Sequence, residues 1–308
     1  MNINRVAIIG ECMVELRKTA QGLEQGFGGD TLNTAVYLSR LTYPSNITTS
    51  YVTGLGSDPF SSDMLAQWRD ENLDTQLVHQ VENRVPGIYA IETAPDGERN
   101  FYYWRNESAA KFWLRDQSID ELVENLSSHQ LIYLSGISLA ILPDDCRQTL
   151  IKTLKLCKAQ GTMIAFDNNY RPALWGSIQE AQEWYREILA LTDIAFLTYD
   201  DEVMLWGDKN EQDSISRTQS FGVEEIVIKR GAEACFVISD NQLTEVPASQ
   251  ITNIIDTTAA GDSFSAGYLA KRILGGSKKE SALAGHKVAG TVIQHRGAVI
   301  PKNMTPTL

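Results

Sequence analysis

The chain has 308 residues, of which 43% are hydrophobic, and it carries a formal net charge of -12 at pH 7. This length fits one large α/β domain with a smaller appendage. The acidic charge argues against binding to nucleic acids or membrane surfaces, because both require basic groups that neutralise phosphates.

In chain order, short apolar runs typical of buried strands alternate with segments of helical periodicity. The run RVAIIG at 5–10 predicts a strand, and residues 30–41 predict a helix with Asp30 as its N-cap. Asp58 followed by Pro59 marks another helix start, since proline is favoured at the first helical position. Further strands are predicted at 49–56, 130–136, 162–167, 193–198 and 224–231, and further helices end near Gly161 or span about 178–191 and 212–221. This alternation predicts an α/β fold with a mostly parallel sheet flanked by helices.

The segment 83–106 interrupts the alternation. It holds the runs GIYAIET and ERNFYYWR on either side of the turn sequence APDG, a pattern that predicts a β-hairpin. A sheet covered by helices has no room for a hairpin in its core. We therefore expect residues 1–308 to form one domain, with a small β lid built from about 12–27 and 83–106.

Residues 256–264 read DTTAAGDSF, a stretch with much bare backbone. They follow the strand-like run ITNIID and precede a segment of helical spacing, so the small residues are predicted at a helix N-terminus. Unpaired N–H groups and the helix dipole favour an anion there. Asp262 beside such a site would act either as a helix cap or as a general base for an attacking hydroxyl.

Two stretches carry a resemblance to a known family. DTTAAGDSF resembles the second signature of the ribokinase, or PfkB, family of carbohydrate kinases, and GFGGDTLNTAVYLSRL resembles its first. The motifs GECMVEL, FYYWRNESAAKFW, LSGISLAI, FDNNYRPALW and IQHRGAVIP resemble the branch of that family that phosphorylates 2-keto-3-deoxygluconate, over essentially the whole chain. The resemblance implies a ribokinase-like fold and the transfer of the γ-phosphoryl group of ATP, with Mg²⁺, to the terminal hydroxyl of this sugar acid.

The resemblance also implies roles for individual residues. Asp262 would be the catalytic base, and the backbone of Ala259, Ala260 and Gly261 would form the anion hole. The residues implied for the acceptor sugar are Gly28, Gly29, Asp30, Asn33, Tyr89, Tyr103, Arg105 and Arg171. Those implied for ATP are Asn169, Thr198, Lys229, Gly231, Ala259 and Gly261. Glu202 would hold the metal through water.

The physical chemistry of these residues adds two expectations for the acceptor. Tyr103 and Arg105 share one face of an alternating strand, so both can serve one pocket. The planar guanidinium groups of Arg105 and Arg171 suit the carboxylate of a sugar acid. The glycines would let the ligand approach the backbone.

The chain departs from the family pattern at two places. Ala259 stands where the signature has glycine, and alanine there costs about 1 kcal/mol if the position needs a positive φ. In the N-x-x-E motif Glu202 is retained, but Tyr199 replaces the asparagine, with Asp200 and Asp201 as candidates to compensate.

Other functions stay open at this stage. The alternatives are another sugar kinase such as a fructokinase, a non-catalytic nucleotide or sugar sensor on the same fold, and an oxidoreductase, which the lack of dinucleotide glycines in GECMVEL disfavours. The four widely spaced cysteines and the N-terminus without an export signal predict free thiols and a cytoplasmic protein. Exposed lid strands favour a homo-oligomer formed through the lid.

Overall fold

The computed structural model describes residues 3–19, 22–93 and 99–308. Its strands are β1 (Arg5–Ile9), β2 (Met13–Thr19), β3 (Gly22–Gly28), β4 (Thr48–Leu55), β5 (Leu73–Asp74), β6 (Val78–Gln80), β7 (Ile88–Thr93), β8 (Arg99–Trp104), β9 (Leu131–Ser135), β10 (Met163–Asp167), β11 (Ile194–Thr198), β12 (Glu225–Lys229), β13 (Cys235–Ser239) and β14 (Gln242–Val246). Its α-helices are α1 (Asp30–Thr42), α2 (Pro59–Asp70), α3 (Ala109–Phe112), α4 (Ile119–Ser127), α5 (Gly136–Ala140), α6 (Asp144–Ala159), α7 (Ile178–Leu189), α8 (Tyr199–Trp206), α9 (Glu211–Ser220), α10 (Ala260–Ile273) and α11 (Lys278–Val292).

The main sheet has ten strands in the order β14-β13-β12-β11-β10-β9-β1-β4-β5, with β6 paired to β4. Every neighbouring pair from β12 to β5 is parallel, whereas β12, β13 and β14 pair antiparallel. The predicted, mostly parallel sheet is therefore confirmed. The antiparallel extension through β13 and β14 was not predicted.

Helices cover both faces of this sheet, and the side-chain alternation of the strands shows how. In β1, Ala7 and Ile9 join the apolar cluster that contains residues of α4 to α7, while Val6 and Ile8 join the cluster that contains α1, α10 and α11. Successive side chains of a strand point to opposite faces, so a strand buried on both sides reads as a continuous apolar run. This arrangement leaves the carboxyl ends of the parallel strands as the open edge of the sheet.

The predicted lid is confirmed as a second, four-stranded sheet in the order β3-β2-β7-β8. The strands β7 and β8 form the expected hairpin, and Tyr89 pairs with Tyr103 across it. The turn sequence APDG at 94–97 lies outside the described residues. The other half of the lid is the β2–β3 hairpin, which joins the first half through parallel pairing of β2 with β7.

Two local predictions were wrong and one was confirmed. The N-cap of α1 is Gly29, and Asp30 is the first helical residue, because its carboxylate accepts hydrogen bonds from other elements. The run ITNIID at 251–256 is not a strand, and it leaves Ile254 56% exposed in an extended loop. Asp58 caps α2 as predicted, since its carboxylate accepts from the backbone N–H of Ser61 at 3.1 Å.

The four cysteines carry free thiols, and all of them are buried, as the sequence predicted. Desolvation raises the pKa of Cys157 to about 11, which keeps this thiol protonated and unreactive at neutral pH. Within the described part of the chain, no helix combines the length and apolar character needed to cross a bilayer.

Candidate active site

The principal cavity has a volume of about 650 Å³ and lies between the open edge of the main sheet and the lid. Asp167, Thr198 and Lys229 reach it from the ends of three adjacent parallel strands, as expected for ligand sites of open α/β sheets. All of the residues predicted for catalysis, acceptor binding and ATP binding line this one cavity: Gly28, Gly29, Asp30, Asn33, Tyr89, Tyr103, Arg105, Asn169, Arg171, Thr198, Lys229, Gly231, Ala259, Ala260, Gly261 and Asp262.

The first turn of α10 opens into the cavity, as the small residues predicted. Ala259 is the N-cap and has φ 61°, so the left-handed conformation expected for a glycine position is adopted by alanine. The N–H of Ala260 donates to the carbonyl of Thr257 at 3.2 Å. Gly261 and Asp262 follow in the turn, where a helix offers its own N–H groups no acceptor. Of the three residues predicted for the anion hole, Ala259, Ala260 and Gly261, Ala260 therefore has its N–H already engaged, and the anion hole stays a prediction.

Asp262 lies at the bottom of the cavity, where its Oδ2 accepts a hydrogen bond from Nδ2 of Asn33 at 2.9 Å. Desolvation and the nearby carboxylate of Asp30 raise the pKa of Asp262 to about 7, against the opposing effect of the Asn33 hydrogen bond. Asp262 is not the helix cap. Its side chain is turned into the cavity, with a pKa close to that of an efficient general base at neutral pH.

A buried ion pair stands beside this carboxylate. Nζ of Lys229 lies 2.7 Å from Oδ2 of Asp167, and the hydroxyl of Ser265 donates to the same oxygen at 2.9 Å. The ammonium lies 3.4 Å from the point that a Cβ on Gly261 would occupy. A cation of fixed position therefore adjoins the anion hole.

The acceptor side of the cavity contains a second polar cluster around Asp30. Oδ2 of Asp30 accepts from the hydroxyl of Ser135 at 2.5 Å and from Nδ2 of Asn169 at 2.7 Å. Asn169 has φ 30°, an uncommon value that asparagine tolerates better than most residues. The resemblance implied that Asn169 binds ATP and Asp30 the acceptor; the structure joins these two side chains by a hydrogen bond, and both roles stay predictions.

Aromatic residues of the lid form the opposite wall. The rings of Tyr89 and Tyr103 stack at 6.0 Å between centroids, and Phe101 stacks on Tyr103 at 6.4 Å. The hydroxyl of Tyr89 donates to the carboxylate of Glu15, and burial with this carboxylate raises the pKa of Tyr89. Tyr103 stays 53% exposed, so its face is open to a ligand.

Arg105 follows the lid strand β8 and is tied to the main sheet by an ion pair with Glu11. Glu11 is 2% exposed and also accepts from the hydroxyl of Ser108. The sequence identified Arg105 but missed Glu11, although an acidic residue directly after the first buried strand was a usable signal. The charge of Arg105 is thus already partly balanced by the protein.

The two glycines at the start of α1 serve the protein's own packing. A Cβ at Gly29 would overlap the carbonyl oxygen of Glu11, and a Cβ at Gly28 would overlap the hydroxyl of Tyr89. These glycines admit the β1–β2 connection and the lid tyrosine. Both also line the cavity, and the expectation that they let the ligand approach the backbone stays a prediction.

Arg171 lies in the loop after β10 and is the more exposed of the two predicted arginines. Its side chain is 51% exposed, and its NH1 lies 3.6 Å from Oδ1 of Asp201. Burial raises the pKa of Asp201, while Arg171 opposes this shift. NH1 of Arg171 also donates to the backbone carbonyl of Tyr170 at 2.8 Å, so the exposed guanidinium is engaged by the protein on one side.

Glu202 does not line the cavity, unlike the other predicted residues. It is 1% exposed, and its carboxylate is bound by Asn168 and Arg217. Desolvation raises the pKa of Glu202 to about 7 against the effect of Arg217. Within residues 3–19, 22–93 and 99–308, no group of three or more His, Cys, Asp or Glu side chains is arranged to hold a metal ion.

Comparison with known proteins places this cavity in a wider context. Residues 3–305 match the pfkB family of carbohydrate kinases. The chain is 53% identical over 305 residues to 2-dehydro-3-deoxygluconokinase of Escherichia coli strain K12, with 98% of this chain and 99% of the relative covered. It is 42% identical over 304 residues to the protein of that name from Haemophilus influenzae, with 97% and 96% covered. The crystal structure of 2-dehydro-3-deoxygluconokinase from Thermotoga maritima matches the fold with a TM-score of 0.84 at 20% identity, over 96% of this chain and 94% of that one.

Proposed function

Because the chain belongs to the PfkB family of carbohydrate kinases, we propose that it transfers the γ-phosphoryl group of ATP to the terminal hydroxyl of 2-keto-3-deoxygluconate. The product is 2-keto-3-deoxy-6-phosphogluconate. The observation that carries this proposal is the position of Asp262, a carboxylate of raised pKa beside the open first turn of α10. The relatives named 2-dehydro-3-deoxygluconokinase supply the identity of the sugar acid.

Asp262 acts as the general base in this reaction. The terminal hydroxyl of the sugar acid gives its proton to the carboxylate as its oxygen forms a bond to the γ-phosphorus. The bond between that phosphorus and the bridging oxygen breaks, and ADP leaves. Asn33 holds the carboxylate in its orientation through the 2.9 Å hydrogen bond.

The charge of the transferring phosphoryl group is met by fixed donors. The amides of Gly261 and Asp262 lie in the first turn of α10, at the positive end of the helix, and both residues line the cavity. Lys229 lies beside them, and Asp167 holds its ammonium in place. Donors that are already oriented stabilise developing charge without reorganising during the reaction.

Recognition of the sugar acid falls to the lid and to the loop after β10. Arg105 and Arg171 are the arginines that we assign to its carboxylate, and Tyr89 and Tyr103 pack against the carbon chain. Asp30 and Asn33 lie where α1 begins and bind the hydroxyl groups. Thr198 and Gly231 border the nucleotide on the far side of Lys229.

Magnesium fits this site as an ion bound to the phosphates of the nucleotide, and not as an ion that the protein holds alone. Mg²⁺ commonly binds through one or two carboxylates together with substrate phosphates and water. Asp201 lines the cavity, takes no part in the proton transfer and would be the carboxylate for such a shared site, whereas Glu202 is enclosed by its own partners. The ion would neutralise phosphate charge during the transfer.

Fructokinase activity is the alternative within the same family. A neutral sugar needs no arginine for recognition, so the two arginines in the cavity favour an acidic acceptor. A non-catalytic sensor has no need for a carboxylate of raised pKa at an anion hole. The family match removes the oxidoreductase interpretation.

We also propose that a second copy of the chain covers the outer face of the lid. Tyr102 and Trp104 of β8 are 48% and 62% exposed, and Leu23 of β3 is 71% exposed. Large aromatic side chains that are exposed to solvent favour a protein–protein interface. Light scattering on the wild type and on Trp104→Ser tests this, and a wild type that is monomeric at micromolar concentration would contradict it.

The kinase proposal is tested by an ADP-release assay with 2-keto-3-deoxygluconate and fructose as separate acceptors. We expect the sugar acid to be preferred by a wide margin in kcat/KM. Phosphorus NMR should show the product phosphate coupled to the two protons of a CH₂ group, as expected for a terminal ester. A preference for fructose would replace the proposal with the fructokinase alternative.

A further inference from the structure

A chain of buried polar contacts lies behind the acceptor side of the cavity. We call Arg217, Glu202, Asn168 and Asn169 the Asn168 network. Asn168 is fully buried, and its Nδ2 donates to Oε1 of Glu202 at 2.9 Å and to the carbonyl of Thr198 at 3.1 Å. Glu202 thereby fixes which way the amide of Asn168 points.

That orientation matters because the other end of the amide binds backbone. Oδ1 of Asn168 accepts from the N–H of Asn169 at 2.7 Å and from the N–H of Thr198 at 2.9 Å. These two backbone groups belong to the ends of the neighbouring strands β10 and β11. If the amide turned over, its NH₂ group would face two N–H donors and both hydrogen bonds would be lost.

Asn169 is the residue through which the network reaches the cavity. Its φ of 30° lies outside the well-populated regions, and such a conformation persists only where the surroundings hold it. Its Nδ2 donates to Oδ2 of Asp30 at 2.7 Å, on the acceptor side. The hydrogen bond from its backbone to Asn168 is therefore part of what keeps Asp30 in place.

The carboxylate of Glu202 has a donor on each oxygen. Oε1 accepts from Asn168, and Oε2 is paired with Arg217, which also binds Asp208 at 2.7 Å. The ring of Trp206 lies 4.8 Å from Cζ of Arg217 and closes the outer side. Glu202 is 1% exposed and does not line the cavity, so the donors that its two carboxylate oxygens meet are groups of the protein.

We propose that Glu202 is a positioning residue that holds the acceptor-binding residues Asn169 and Asp30 through Asn168, and that it does not bind magnesium through water. This inference rests on the proposed kinase function. It assigns to Glu202 a role in the KM for the sugar acid, whereas a metal role would affect the dependence on Mg²⁺.

Two substitutions separate these roles. In Glu202→Gln the amide oxygen still accepts from Asn168, while its NH₂ group takes the place of the oxygen that Arg217 binds, and Asp208 remains paired with Arg217. We therefore expect a lower melting temperature but a KM for the sugar acid close to that of the wild type. In Glu202→Ala that acceptor is lost, and we expect the KM for the sugar acid to rise roughly 10- to 100-fold, as for other small displacements of binding groups. The Mg²⁺ concentration for half-maximal rate should stay unchanged in both variants.

A double substitution tests whether the effect passes through Asn169. Asn169→Gly removes the contact with Asp30, while glycine accepts a positive φ. If Glu202 acts through Asn169, adding Glu202→Ala to Asn169→Gly should raise the KM for the sugar acid little further, because residues that act as a unit are not additive. Calorimetric binding of the sugar acid without ATP gives the same comparison independently of turnover.

Several results would overturn the inference. One is a Glu202→Gln protein whose half-maximal Mg²⁺ concentration rises and whose rate returns in excess Mg²⁺. Another is an unchanged KM for the sugar acid in Glu202→Ala, with kcat and the melting temperature both lowered, which would indicate a purely structural role. If Glu202→Ala does not fold, Glu202→Asp replaces it, because the shorter side chain draws the carboxylate away from Asn168 but keeps its charge opposite Arg217, and the same rise in KM is expected. A wild type that neither binds nor phosphorylates the sugar acid would reject the proposed function itself, and with it the inference.

Discussion

The side chain of Asn33 on α1 donates to the carboxylate of Asp262 on α10 at 2.9 Å, across 229 positions of sequence. The hydroxyl of Thr34, the next residue of α1, donates to the backbone carbonyl of Asp262 at 3.3 Å. One helix end therefore holds Asp262 from two sides. Because Asn33 also lines the cavity, the proposed sugar binding and the orientation of the proposed base would depend on the same short segment.

Replacing the base should stop the reaction without disturbing the site. In Asp262→Asn the amide oxygen still accepts from Asn33, but the side chain can no longer take a proton. We expect kcat to fall on the order of 10²- to 10⁴-fold, while ATP still binds. A coupled ADP-release assay measures kcat, and calorimetry measures the binding of ATP. A variant with nearly unchanged kcat would remove Asp262 from the role of base.

The raised pKa of Asp262 predicts how activity changes with pH. Below about 7 the carboxyl is protonated and cannot accept the hydroxyl proton, so kcat/KM should fall by about tenfold per pH unit towards acid. Above that pH it should level off. A profile that stays flat down to pH 5 would show that no group of this pKa limits the reaction.

The same pKa predicts an unusual dependence of stability on pH. An unfolded aspartate has a pKa of about 4, so between about 4 and 7 the folded protein binds a proton that the unfolded chain does not. The contribution of Asp262 to the free energy of unfolding therefore decreases as the pH rises through this window. Asp262→Asn should melt higher than the wild type at pH 8 and equally at pH 4. Equal melting temperatures at pH 8 would contradict the shift.

Gly29 should tolerate no side chain, for the reason that a Cβ would overlap the carbonyl of Glu11. We expect Gly29→Ala to lose about 1 to 3 kcal/mol of stability, as overpacked sites do, and to raise the KM for the acceptor more than that for ATP. Gly26→Ala on the neighbouring strand is the matched control, because its Cβ would have 3.9 Å to its nearest neighbour. Similar losses in both variants would argue against the specific overlap.

The arginines of the cavity should determine the preference for an acid. Arg105→Lys keeps the charge but loses the planar fork, and we expect a loss of roughly 1 to 3 kcal/mol in binding of the sugar acid. Substitution of Arg171 should also lower the ratio of kcat/KM for the sugar acid to kcat/KM for fructose. Arg115→Lys, on an exposed pair with Asp145, serves as the control. If the ratio of kcat/KM for the sugar acid to that for fructose stays at the wild-type value in these variants, the arginines do not recognise the carboxylate.

Ala259 offers a stabilising substitution at the edge of the site. Its φ of 61° is disfavoured for alanine by about 1 kcal/mol, and glycine adopts it freely. Part of that gain is offset by the larger entropy of glycine in the unfolded chain. We expect Ala259→Gly to raise the urea midpoint slightly with an unchanged m-value. A lowered midpoint would mean that the methyl group contributes packing.

Local signals in the sequence were sufficient for the main sheet and for half of the lid. Buried parallel strands read as apolar runs, and the alternation in 88–104 indicated a hairpin, because side chains of a strand repeat every two residues. The hairpin of β13 and β14 also had a signal that was missed. Asp240 and Asn241, both with positive φ, form the two-residue connection that such hairpins prefer.

Contacts between distant segments could not be predicted in this way. Nothing near Arg105 in sequence indicates that its charge is balanced by Glu11, and nothing near Glu202 indicates that Arg217 encloses it. The run at 251–256 was misread because its apolar composition fits a strand, while its actual role is to lead the backbone into the turn before α10. The composition of a segment predicts its secondary structure, but the fold determines which distant side chains it contacts.

The late position of α10 and α11 in the chain has a consequence for synthesis. Phe264 and Val288 cover the same apolar layer as Ile8 and Tyr133, which leave the ribosome much earlier. Until the last helices emerge, a nascent chain with most of its sheet present has the part of this apolar face that α10 and α11 cover, next to α1 and α2, still exposed. We therefore expect this face to be the region that chaperones bind during translation, and the final segment of the chain to release them.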